Sequence, residues 1–177
     1  MAVRNILRDG DPSLLKKSRA ITDFNARLHT LLDDMRETLT EANGLGLAAP
    51  QVGALRRAVL VVDTDTGEDE EQIIELINPE IIESSGIQTG SEGCLSIPGV
   101  FGIVRRPEYV KVRAQDRYGN TFEVEGQGLT ARAFCHELNH LDGVLFTAVA
   151  DSILTAEELE KLAEQEELEE DSGDEAE

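Results

Sequence analysis

The sequence predicts a chain of mixed helices and antiparallel hairpins, and three stretches carry that prediction. Apolar residues at Phe24, Leu28, Leu31, Leu32, Met35 and Leu39 keep the spacing of one helix face. Val110, Val112 and Ala114 alternate with Lys111, Arg113 and Gln115; a turn at Gly119-Asn120 leads to Phe122 and Val124, alternating with Glu123 and Glu125, which makes a half-buried hairpin. Leu129, Ala133, His136, Glu137 and His140 fall at i, i+4, i+7, i+8 and i+11, the stripe of an inward-facing helix.

Taken in order, residues 1–23 hold a turn at Gly10-Asp11-Pro12 and no visible chemistry. The first helix covers residues 24–39, with Thr22 or Asp23 as its cap, and stops at Asn43-Gly44. His29 lies off its apolar stripe with no second ligand nearby, and reads as a surface histidine. Residues 44–53 fail as a phosphate loop, because no Lys-Ser/Thr pair follows the glycines and a helix precedes them where a strand should. They read as a tight helix-to-strand connection, which explains the glycines but leaves Gln51 without a purpose.

Residues 58–62 are a buried strand, residues 63–71 an acidic hairpin tip, and residues 73–77 the returning strand, ended by Asn78-Pro79. The acids of the tip miss the positions a calcium hand requires. Ile81-Ile82 offers a short further strand, and residues 90–99 read as a loop that carries Cys94. Gly126 and Gly128 lead into the histidine helix, and Gly143 ends it. Residues 1–154 are read as one domain, residues 155–169 as an acidic helix with Leu159 and Leu162 on one side, and residues 170–177 as a disordered tail.

Aromatic residues make up only 4% of the chain and Trp is absent, so the core must be aliphatic. The formal net charge is −20, of which −11 falls after residue 154, where twelve acids face one lysine. Such acidity argues against direct binding to nucleic acid, which needs clustered Lys and Arg. Neither a signal stretch nor a membrane span is visible, and two cysteines are not a disulfide scaffold, so a cytoplasmic protein is expected. A single Cys94–Cys135 bridge is the alternative use of the thiols.

The chemistry concentrates in His136-Glu137-Leu138-Asn139-His140. Side chains at i and i+4 stand on one helix face, so His136 and His140 can each offer a nitrogen to one metal ion. Glu137, about 100° further round, can reach a water beside that ion. The bland alternative is a chance string on a solvated helix. The inward stripe argues against it, since two buried imidazoles beside a buried carboxylate are costly without a cation or a network to pair with. Cys94 is either an inert packed thiol or a third ligand, and two His with one thiolate would leave a fourth position open. Cys135 lies on another helix face and reads as a core or interface thiol.

Three segments together resemble the peptide deformylase family: the glycine-leucine-glycine stretch from Gly44-Leu45-Gly46 to Gln51, Glu92-Gly93-Cys94-Leu95-Ser96, and the His136 to His140 helix, over roughly residues 3–150. The resemblance implies an α+β fold of small antiparallel sheets packed around a central metal-binding helix, with a C-terminal helix. It implies Cys94, His136 and His140 as ligands of one divalent metal ion, iron(II) first, with Zn2+, Ni2+ or Co2+ as alternatives. It also implies Glu137 as acid and base, with Gln51 and the Leu95 backbone amide as oxyanion donors. Leu45, Gly46, Leu129 and Ala133 would border the methionine pocket, Gly46 pairing its backbone with an extended peptide. The implied activity is removal of the N-formyl group, as formate, from N-formylmethionyl nascent peptides, and the chain is read as a monomer or a weakly associating protein.

Two positions depart from the family pattern. Asn139 stands where the family usually has Asp, and Phe101 stands close to where many relatives place a peptide-contacting Arg. They support the alternative of a catalytically silent binding module, against which the full set of Gln51, Cys94, His136, Glu137 and His140 speaks. A metallopeptidase, the other rival, would usually need a His or Glu as third ligand.

Overall fold

A computed structural model of the chain describes residues 1–65 and 72–173. β2 (Ala58–Asp63) is the strand on which the larger part is laid. Val59 and Val61 enter one apolar cluster, while Ala58, Leu60 and Val62 enter another. Both faces are buried, which is why the run is apolar throughout and does not alternate. β2 pairs with β1 (Gly46–Ala48) and β3 (Gln72–Ser85). β6 (Tyr109–Gln115) and β7 (Thr121–Gln127) complete an antiparallel sheet of order β1-β2-β3-β6-β7.

α1 (Ala26–Ala42) covers one face of this sheet, packing Leu32, Met35 and Leu39 with Leu60, Val62 and Ile77. α2 (Gly128–Leu141) covers the other, packing Ala131, Phe134 and Leu138 with Val59, Leu76 and Val112. β4 (Gln88–Cys94), β5 (Ile97–Arg106) and β8 (Ser152–Thr155) form a second antiparallel sheet over a smaller core around Ile97, Val104 and Phe146. The polar side of α2 faces this sheet, so the helix lies between the two. α3 (Ala156–Gly173) follows β8.

Several boundaries differ from expectation. α1 starts at Ala26 and leaves Phe24 outside; its cap is Asn25, whose side chain accepts from the Arg27 and Leu28 amides, and neither Thr22 nor Asp23 serves. His29 is half-buried, with Nε2 2.7 Å from the Arg117 carbonyl oxygen. Asn78-Pro79 does not end β3, which runs on to Ser85 across two register shifts. Asn78 sits at φ 50° and its side chain bonds both the N–H and the C=O of Ile21 at 2.8 Å, so Pro79 falls in a bulge where no ladder donor is needed.

Residues 90–99 are a hairpin, and Cys94 ends a strand where a loop was expected. Glycines and Pro98 disguised it: β5 residues 98–101 oppose Gly93 alone, which takes the proline out of the ladder. The turn at Gly119-Asn120 and the end of the histidine helix before Gly143 fall as expected. Both cysteines are free, so the bridge is not made. α3 continues past residue 169 to Gly173, through the start of the expected tail; residues 174–177, and residues 66–71 of the acidic tip, lie outside the described residues.

Candidate active site

α2 presents His136 and His140 one turn apart, and the tight turn after β4 brings Cys94 to them. His140 Nε2 lies 3.2 Å from His136 Nε2 and 3.4 Å from Cys94 Sγ, and the three donor atoms are all within 4.8 Å of one another. Nitrogen and sulfur donors on one tetrahedral ion, at about 2.0–2.3 Å from it, stand about 3.3–3.6 Å apart. The donor set therefore fits a divalent metal in chemistry, and the two distances from His140 match such an ion.

The charges point the same way. His136 Nδ1 donates to Glu92 Oε1 at 2.8 Å, which turns Nε2 toward the other donors. Burial would lower the pKa of His136, but hydrogen bonds to Cys94 and Glu92 lift it to about 10. Burial and the charge on His136 push His140 down to about 3. His140 Nδ1 has no partner among the described residues.

Glu92 is 5% exposed and carries more than a histidine. It accepts from Arg106 Nε at 2.8 Å and Nη2 at 2.9 Å, and from Arg132 Nη1 at 2.8 Å. Burial alone would raise its pKa; the Arg106 and His136 hydrogen bonds outweigh this and bring it down to about 2. Asn139, whose Oδ1 accepts from Arg106 Nη1 at 2.6 Å, belongs to the same network.

Glu137 is 4% exposed, its Oε2 has no hydrogen-bond partner among the described residues, and burial pushes its pKa up to about 7. That value suits a group which must take a proton and give it back near neutrality. A Cβ on Gly46 would come within 2.5 Å of Glu137 Oε1, so the glycine there makes room for the carboxylate. Gln51, 1% exposed, accepts the Ala48 amide on Oε1 at 2.9 Å. This turns its Nε2 to Ser96 Oγ at 3.2 Å and Cys94 Sγ at 3.5 Å.

Gln51, Cys94, Leu95, His136 and Glu137 line a cavity of about 680 Å³, and so do Leu45, Gly46, Leu129 and Ala133. Leu129 is 48% exposed, where the helical stripe predicted a buried residue; it stands at the cavity wall with Leu45, 40% exposed. Phe101 also lines the cavity, its ring against Gly93. His140 sits behind, 1% exposed.

Sequence reasoning passed over Glu92 as a partner, and missed Arg106 and Arg132 altogether. A signal was present for Arg132, one turn before His136 on the helix: a guanidinium on that face demands a buried acid.

A family model described as polypeptide deformylase matches residues 3–155. A peptide deformylase of Caldanaerobacter subterraneus subsp. tengcongensis is 52% identical over 164 residues, covering 93% of this chain and 99% of its own length. One of Lachnoclostridium phytofermentans is 58% identical over 146 residues, covering 82% and 88%. Among solved structures, the peptide deformylase of Thermotoga maritima superposes with a TM-score of 0.79 at 36% identity, covering 86% of this chain and 100% of its own. That of Acinetobacter baumannii, solved with Met-Ala-Ser bound, gives 0.76 at 35%, covering 83% and 98%.

Proposed function

The chain belongs to the polypeptide deformylase family and is a metal-dependent hydrolase that removes the formyl group from formylated nascent peptides; from that premise we propose how its own residues divide the work. Cys94, His136 and His140 would hold the ion, with iron(II) as the physiological metal and zinc, nickel or cobalt as substitutes. When bound, the ion supplies Lewis acidity, bringing the pKa of water toward about 7 and polarising the formyl carbonyl.

Glu137 takes the proton of the attacking water. As the new C–O bond forms, negative charge gathers on the formyl oxygen, and the Gln51 amide and the Leu95 N–H are the donors assigned to it. Loss of one such donor typically raises a barrier by about 3–4 kcal/mol. Gln51 suits the role because Ala48 fixes its carbonyl end and leaves its NH2 directed toward Cys94. As the C–N bond breaks, Glu137 returns the proton to the departing amine, and formate and the methionyl peptide leave.

Leu45, Gly46, Leu129 and Ala133 border the place for the methionine side chain, which would cover the exposed faces of both leucines. Gly46 lies on β1, the edge of the five-stranded sheet, where an extended peptide can add as a strand. Residues 1–154 are the catalytic domain, with residues 155–169 an appended acidic helix and the rest a tail; the family match ending at residue 155 supports this division. A monomer is the state we assign to the chain. The free cysteines suit the reducing cytoplasm, and no helix among the described residues is long and apolar enough to cross a membrane.

The observation that carries this reading is the donor triangle of Cys94, His136 and His140 beside the buried Glu137 carboxylate. The test is Glu137→Ala in metal-loaded protein. Metal content stays stoichiometric while formate release from formyl-Met-Ala falls by about 10²–10⁴-fold. Near-normal turnover would remove Glu137 from its role.

A further inference from the structure

The charged side chains that line the cavity are not equivalent. Arg132 and Glu92 neutralise each other, and Glu137 is buried at the reacting end beside His136. Arg8 is different: it is exposed, lines the same cavity, and makes no ion pair among the described residues. Its position is nevertheless held. Arg8 Nη1 donates to the Leu95 carbonyl, and the backbone on either side is tied down, Leu7 N–H to Gln51 O at 2.8 Å and Asp9 N–H to Ser96 O at 2.9 Å. A guanidinium carries five donor hydrogens, and the Leu95 carbonyl takes one of them. The rest form a fixed cationic fork at the cavity.

The reach of that fork follows from covalent dimensions. A residue's own N–H nitrogen and C=O oxygen are at most about 3.6 Å apart, so with one hydrogen bond added the Arg8 guanidinium lies within about 7 Å of the Leu95 amide. One more hydrogen bond from that amide to the formyl oxygen keeps the fork within about 10 Å of the reacting carbon. An extended peptide advances about 3.3 Å per residue. The fork therefore stands no further along than about the third residue, and since the first is methionine, the second and third are the positions where it can meet a carboxylate.

Resting on the assignment of Leu95 above, we infer that Arg8 is a specificity-determining residue which favours formylated peptides carrying a carboxylate two or three residues along. The carboxylate is either an acidic side chain or the terminus of a very short peptide, and the chemistry recognised is the same. The chain's net charge of −20 opposes such peptides at long range. At about 0.15 M salt, charges beyond about 8 Å are screened and the direct pair with Arg8 decides.

The test compares kcat/KM of the metal-loaded enzyme at about 0.15 M salt. One arm pairs formyl-Met-Ala-Asp-amide with formyl-Met-Ala-Asn-amide, and reads the side chain. The other pairs formyl-Met-Ala with formyl-Met-Ala-amide, and reads the terminus. For an exposed ion pair the acidic member of at least one arm is favoured about threefold to fivefold. Arg8→Gln brings that ratio to about one and Arg8→Glu inverts it, while Arg8→Lys keeps most of it. A ratio of one in wild type, or a ratio that survives in Arg8→Gln, overturns the proposal. Equal loss on every peptide with the ratio intact does so too, and makes Arg8 only a prop for the Leu95 turn. Formate release from all peptides at equal rates leaves the deformylase reading standing; release from none, with metal bound, overturns both.

Discussion

The two sides of α2 are held by different physics. Toward the five-stranded sheet the helix presents Ala131, Phe134, Leu138 and Leu141, all in one apolar cluster with Val59, Val61 and Val112. Toward the β4–β5 hairpin it presents Arg132 and His136, joined to Glu92 at 2.8 Å each, with Arg106 from β5 closing the network. The apolar side is non-directional and tolerates small shifts. The ionic side is directional, so it can fix the azimuth of an imidazole ring, at the cost of keeping two guanidiniums and a carboxylate out of water. One side stabilises the helix; the other aims it.

The two sides can be damaged separately by substitution. Glu92→Gln leaves Arg106 and Arg132 buried without their counter-charge, which costs about 3–5 kcal/mol of folding stability. It also removes the carboxylate from His136 Nδ1, so metal affinity falls by about 10–100-fold. Phe134→Ala costs a similar amount, about 3–5 kcal/mol, through the cavity it leaves. Yet Phe134 packs in the apolar cluster on the sheet side of α2, so metal affinity of the folded fraction stays within about twofold. Urea unfolding and a competitive metal titration on both variants check this; equal weakening of metal binding would show that the sides are not separate.

Removing the metal is the gentler cut. With Cys94 at one end of β4 and the two histidines on α2, the ion would join the hairpin to the helix. Chelation is expected to speed amide exchange around residues 92–97 and at the C-terminal turn of α2, while β2 and β3 keep their protection. Uniform acceleration across both sheets, read by hydrogen exchange with mass spectrometry, would contradict it.

The same division explains what was legible in the sequence. β2 and the faces of α1 and α2 were readable because apolar burial repeats with the period of the element. His136 and His140 were readable because both ligands sit on one helix at i and i+4. The ionic side leaves no such trace: Glu92 meets Arg106, Arg132 and His136 across separations of 14, 40 and 44 residues. The β4–β5 hairpin was hidden for a related reason, since its register shift places Pro98 and Gly99 outside any regular alternation. Gln51 and Leu95 had no periodic signature, and only the likeness of three motifs to a family pointed to them.

The smallest expected effect sharpens the account of the ionic side, because its sign depends on counting charge. Within the network two guanidiniums, Arg106 and Arg132, share the single carboxylate of Glu92, so the cluster carries excess positive charge before any histidine is considered. Asn139 touches it through Oδ1, 2.6 Å from Arg106 Nη1, and is half-buried. Asn139→Asp puts a second carboxylate of the same shape on that donor. If the network is short of negative charge, the variant gains up to about 1 kcal/mol and its Tm rises by about 2–4 °C. Metal binding then tightens slightly or is unchanged, since the added charge faces Arg106. A fall in Tm at neutral pH would mean that the carboxylate costs more to desolvate than Arg106 returns, and that the network is already balanced as it stands.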